Sequence, residues 1–193
     1  MAISDGDPRI ARTRSTVIAV VHRLLRTEGP GAVTFGRVSR ETGVSRTTLY
    51  RHWPGPSELV ADAWTRLVPP GPPPPTADLR VDLVAMFIRV RNAVESTTMQ
   101  RSLPTFLAAA LDDPVISQLH AAFVRDRRQP VLERLSQARA EGELDADADL
   151  DLLVDLLSGP LFYRQLLRRE PTSDRQVADL VDAVLAVACS APR

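Results

Sequence analysis

Arg46, Thr47, Thr48, Tyr50, Arg51 and His52 lie within seven consecutive residues and offer guanidinium, hydroxyl, phenol and imidazole groups. Groups of these types hydrogen-bond phosphate oxygens and the edges of bases. They do not make a catalytic set. The chain contains no Walker, Rossmann or G-x-S-x-G element, and its three histidines, His22, His52 and His120, are far apart in sequence. No Cys/His or H-E-x-x-H spacing marks a metal site. The acidic run at 141–151 reads as a helix N-terminus, since it lacks the spacing and glycine of a calcium loop. We therefore expect no enzyme activity, no metal and no cofactor.

Two short helices around a tight turn must position those six side chains. Thr34 precedes the first of them as a hydroxyl cap, and Phe35 and Val38 share one face. Gly43 stops that helix where the backbone needs a positive φ. Val44 plugs the turn and Ser45 caps the second helix. Leu49 and Trp53, at i and i+4, turn the second helix toward the core and leave the polar residues outside. A helix-turn-helix of this kind places its second helix in the major groove, with the N-terminal residues reaching bases. The competing reading is a three-helix bundle whose basic face is only solvated.

The pattern T-x-x-x-V-x-x-x-x-G-V-S-x-x-T-L-Y-x-H-[FW], following an amphipathic helix, resembles the TetR/AcrR family of transcriptional regulators over residues 10–67. The resemblance implies an all-α fold: an N-terminal three-helix helix-turn-helix domain and a helical ligand-binding and dimerisation domain. It implies a homodimer on double-stranded DNA with a near-palindromic operator, its half-sites about 34–36 Å apart. Regulation by a small molecule, usually as a repressor, follows from the same likeness. Arg46, Thr47 and Thr48 are the expected base contacts. Tyr50, Arg51 and His52 are expected on phosphates or flanking bases, and Thr34 and Arg37 on the backbone. The chain departs from the family at Gly55 and Pro56, where Ser and Lys are usual, and so lacks one phosphate-binding lysine. An activator or inducer-independent regulator with the same DNA contacts is the alternative, and a helical protein–protein interaction module a remote one.

Charge supports a local polyanion-binding surface. The net charge is zero, but residues 1–53 hold nine arginines against four acids, a net +5, so the remainder carries −5. Arg9, Arg12 and Arg14 are candidates for a basic arm on DNA, or simply a solvated basic end. A hydrophobic content of 44% supports a globular core. No run approaches 18 apolar residues, and the N-terminus lacks an apolar signal segment, so a cytoplasmic protein without membrane contact is expected. Cys189, the one cysteine, is expected as a small buried residue in the last helix.

About nine helices are predicted. The DNA-binding domain is expected at 9–68, with the helix-turn-helix at about 34–53. A polyproline spacer is expected at 69–76, and the second domain at 77–190. Pro104 is expected in the first turns of its helix, and Pro130 is expected to kink or restart another. Ser173 and Gln176 read as a capping box. Within the second domain, Met86, Phe87, Val90, Met99, Phe106, Phe123, Val124 and Phe162 are the apolar candidates for a pocket taking a mainly hydrophobic ligand. The last two helices are apolar on more than one face, so each needs a second neighbour. Leu153, Leu156, Leu157, Leu161, Val177, Leu180, Val181, Val184 and Leu185 are the candidates for a four-helix interface between two copies.

Overall fold

The computed structural model describes residues 8–66 and 75–189. Most of the expected proline spacer and the side chain of Arg9 lie outside the described residues. Among the described residues there are nine α-helices and no strand. They are α1 (Pro8–Thr27), α2 (Phe35–Thr42), α3 (Arg46–His52), α4 (Pro56–Thr65), α5 (Leu79–Glu95), α6 (Thr97–Asp112), α7 (Pro114–Ala140), α8 (Leu150–Tyr163) and α9 (Asp174–Ala188).

The chain forms two compact units, Met1–Val68 with Thr97–Ala122, and Pro69–Ser96 with Phe123–Arg193. The first is built on α1. Its 3.6-residue stripe of Val17, Val21, Leu24 and Leu25 is almost wholly buried. α2, α4 and α6 pack against it. α6 joins α1 although the sequence places it beyond the proline run. Phe106 of α6 stacks on Trp64 of α4 with ring centroids 4.2 Å apart. The close approach of α6 depends on Gly29, whose φ is 83°. A Cβ there would lie 2.6 Å from Thr105 Cγ2.

In the second unit α5 packs against both α8 and α9. Leu83, Phe87, Leu135, Leu157, Val177 and Val181 are buried together. One ion pair enters this core: Arg134 Nε donates to Asp82 Oδ2 at 2.6 Å, and each residue is only 5% exposed. Thr76 donates its backbone N–H and its hydroxyl to Asp82 Oδ1, both at 2.7 Å. Burial alone would raise this carboxyl's pKa, but the Arg134 and Thr76 hydrogen bonds outweigh it and hold it below the usual value. Arg91 donates to Thr172 O and Asp174, and Thr172 N donates to Glu95, which ties the α8–α9 connection to α5.

The helix ends follow local chemistry. Asp78, Asp149 and Ser173 each accept an N–H from the first turn of their helices. The Ser173–Gln176 capping box is present. Two prolines differ from expectation. Pro104 sits well inside α6, and α7 is continuous through Pro130. Cys189 also differs: it caps α9 as an exposed residue, its thiol donating to Glu143 O at 3.1 Å.

Candidate nucleic-acid interface

Thr34 Oγ1 accepts from Arg37 N at 3.2 Å and opens α2. Gly43 ends it at φ 72°, ψ 0°, the left-handed conformation. Ser45 Oγ then accepts from Thr48 N at 3.1 Å and opens α3. Leu49 is fully buried and Trp53 3% exposed, so the inner face of α3 is fixed by packing. The opposite face presents Arg46, Thr47, Tyr50 and Arg51, all exposed. None of these four forms an ion pair or side-chain hydrogen bond among the described residues. Tyr50 is 60% exposed, yet its ring meets Phe35 edge to face at 4.7 Å, which fixes the ring while its hydroxyl stays free.

The other expected contacts are placed differently. Thr48 is half-buried and shares its hydroxyl with Ser45 at 2.8 Å. His52 is half-buried with its ring tilted against Trp53. Thr34 is exposed, but its oxygen serves as the cap. Arg37 is neutralised. It donates to both carboxylate oxygens of Glu28, at 2.6 and 2.7 Å, and to Glu41 at 3.0 Å, while Arg23 also pairs with Glu41. These hydrogen bonds raise the guanidinium pKa and lower those of both glutamates. Arg14, a candidate for the basic arm, instead pairs with Asp62 and lies over the Trp53 ring. Sequence reasoning missed Gly36. A Cβ there would lie 2.8 Å from Arg46 Nη2, so this guanidinium lies against the start of α2.

The expected ligand-pocket residues fall in both units. Met99 and Phe106 lie in the first compact unit, where α6 packs on α1. Phe87 is core, and Met86 and Val90 pack against that core. Phe123 is half-buried beneath the Arg127 guanidinium, Phe162 is half-buried, and Val124 is 37% exposed. A cavity of about 200 Å³ in the second unit is lined by Pro75, Asp82, Met86, Pro130, Glu133, Arg134 and Gln137. A more open one of about 510 Å³ is lined mainly by polar residues of α7 and the start of α8. Of the eight candidates, Met86 alone lines either.

The expected interface residues divide by burial. Leu153, Leu157, Leu161, Val177, Val181 and Val184 are buried in the core of their own chain. Leu180 and Leu185 are partly buried against it. Leu156 is exposed at 41%, and so are Leu152, Tyr163, Leu167 and Val187. Of the nine expected residues, Leu156 alone is exposed in the single chain. Among the described residues, no three metal-ligating side chains come together, and no helix is long and apolar enough to cross a membrane.

A capped, bihelical head with an unpaired polar outer face defines the class of helix-turn-helix DNA-binding proteins. Comparison with known proteins narrows this to one family. Residues 17–63 match the family described as bacterial regulatory proteins, tetR family, and residues 73–184 match the tetracyclin repressor-like C-terminal domain. The HTH-type transcriptional regulator Rv1556 of Mycobacterium tuberculosis is 31% identical over 182 residues, covering 93% of this chain and 89% of its own. The DNA-binding transcriptional repressor TetR of Mycobacteroides abscessus is 28% identical over 179 residues, covering 91% and 93%. The crystal structure of the TetR family regulator SCO0332 is 34% identical with a TM-score of 0.70, covering 92% of this chain and 99% of that one. The flavonoid-responsive regulator FrrA shares the fold at 18% identity, with a TM-score of 0.73 and coverage of 92% and 95%. The chain belongs to the TetR family and is a transcriptional regulator with a helix-turn-helix DNA-binding domain.

Proposed function

We propose that the protein is a cytoplasmic, homodimeric repressor that binds a near-palindromic operator and is released by a small hydrophobic molecule. One observation carries the DNA-contact assignment. Arg46, Thr47, Tyr50 and Arg51 stand exposed on α3 with no ion pair or side-chain hydrogen bond among the described residues, while Arg37 is already neutralised. Arg46 and Thr47 then read bases from the first turn, with Tyr50 and Arg51 one turn on. Thr34, Thr48 and His52 flank them, and Arg37 reaches the backbone only if it leaves Glu28. Homodimerisation is supported by the exposed Leu152, Leu156 and Tyr163 on α8 and Val187 on α9. The repressor sign is supported by the likeness to the repressor of Mycobacteroides abscessus. The name of FrrA favours aromatic ligands as the first to screen.

The test is fluorescence anisotropy on duplex from upstream of the protein's own gene, against a scrambled duplex across a salt series. Specific binding, two protomers per site and a steep salt slope are expected. Arg46→Ala with Arg51→Ala should remove the preference. Unchanged binding by that double variant would refute the assignment of α3.

A further inference from the structure

α3 has seven residues, two turns, too short to hold a fixed orientation by its own hydrogen bonds. Leu49 and Trp53 bury its inner face, but apolar contact is not directional. One directional contact fixes its end. Trp53 Nε1 donates to Asp62 Oδ2 of α4 at 3.0 Å. The same oxygen accepts from Arg14 Nε of α1 at 3.1 Å, and Oδ1 accepts from Arg66 Nε at 2.9 Å. Asp62 is mostly shielded, with 17% of its side chain exposed. The next residue extends the joint, since His22 Nε2 of α1 donates to Ala63 O at 2.7 Å. A single carboxylate thus collects α1, the residue that closes α3, and the end of α4.

We propose that Asp62 is a positioning residue for DNA recognition, setting the angle of α3 through the Trp53 indole so that α1, α3 and α4 move as one body. It touches no DNA itself. Its effect falls on sequence-specific contacts, which need α3 at one angle. Non-specific phosphate contacts tolerate a range of angles.

Trp53→Phe, Asp62→Ala and their combination separate this role from simple stabilisation. Each is titrated against the duplex that the wild-type protein enriches from a random pool, and against a scrambled duplex. Active fractions are fixed by stoichiometric binding. Trp53→Phe keeps the buried ring and the Asp62 charge and removes one N–H. Trp53→Phe is expected to lose about tenfold on the enriched duplex, the size of one hydrogen bond to a charged group, with scrambled binding unchanged; Asp62→Ala, which also removes a carboxylate that Arg14 and Arg66 pair with, is expected to lower the enriched-to-scrambled ratio about tenfold while scrambled binding rises. The double variant should lose no more than Asp62→Ala alone. Arg66→Ala, which removes only the Oδ1 partner, should keep the wild-type ratio. A ratio unchanged in Trp53→Phe, with only the melting temperature lowered, would overturn the proposal. Should Asp62→Ala not fold, Trp53→Phe carries the test alone.

Discussion

Arg37 grips Glu28 through both terminal nitrogens, at 2.6 and 2.7 Å, and in doing so joins α2 to the end of α1. Arg37 stands in the first turn of α2, where an arginine is normally read as a phosphate contact. Here its charge is balanced before any nucleic acid arrives. Glu28→Ala should therefore leave Glu41 as the carboxylate partner of the guanidinium, let its terminal nitrogens turn to a phosphate, and tighten binding to scrambled duplex. The slope of log K against log salt should steepen by about 0.9 for the one added phosphate contact. An unchanged slope would mean that Arg37 does not reach the backbone even when released.

Gly43 sits at φ 72° with nothing within 4 Å of where a Cβ would be. Only backbone strain opposes a side chain there. Gly43→Ala should cost about 1–2 kcal/mol, and Gly43→Asn less, in thermal or urea unfolding. Equal stability of all three proteins would show that the turn relaxes out of the left-handed region.

The Asp82–Arg134 pair predicts a pH dependence. Asp82 has its folded pKa lowered below the ordinary 3.8. Its contribution is thus fully present above that value and is lost as pH falls through the depressed folded value. Asp82→Ala leaves Arg134 buried without its partner and should cost about 3–5 kcal/mol. Asp82→Leu with Arg134→Met should recover most of this. Urea titrations at pH 7 and below pH 4 check both statements.

Leu152→Glu with Leu156→Glu should convert a dimer into folded monomers by sedimentation equilibrium, because both side chains are exposed in the single chain. Leu157→Ala, fully buried, should instead cost about 2–5 kcal/mol in unfolding. A double glutamate variant that remains dimeric would move the interface away from α8.

Local chemistry made much of the fold legible in the sequence. Thr34, Gly43, Ser45 and the Ser173–Gln176 box each satisfy backbone groups within a few residues, so their types alone reveal helix ends. The exposure of Arg46, Thr47, Tyr50 and Arg51 was legible, because Leu49 and Trp53 set the inner face by periodicity. The ion pairs of Arg37 were not legible, because half of its pairing is tertiary. Glu41 lies four residues away on the same helix, but Glu28 lies in the turn that follows α1. The packing of Phe106 and Met99 against α1 and α4 was not legible for a related reason. An apolar stripe shows that a helix is buried, not what it is buried against. Leu153 and Leu157 were read as interface because a helix with two apolar faces does not say which one its own chain already covers.

The stacking of Phe106 on Trp64, and the fit of Thr105 against Gly29, bear on how this regulator can be recombined with others. The proline run invites a cut near residue 68 and the transplantation of 1–68 as a portable DNA-binding head. Such a graft would leave behind the ring that covers Trp64 and the helix that Gly29 was shaped to admit. A chimera keeps its head intact only if the donor also supplies 97–122. The module that can be exchanged is therefore discontinuous in sequence, and hybrid regulators from this chain should be designed on packed surfaces rather than on its apparent linker.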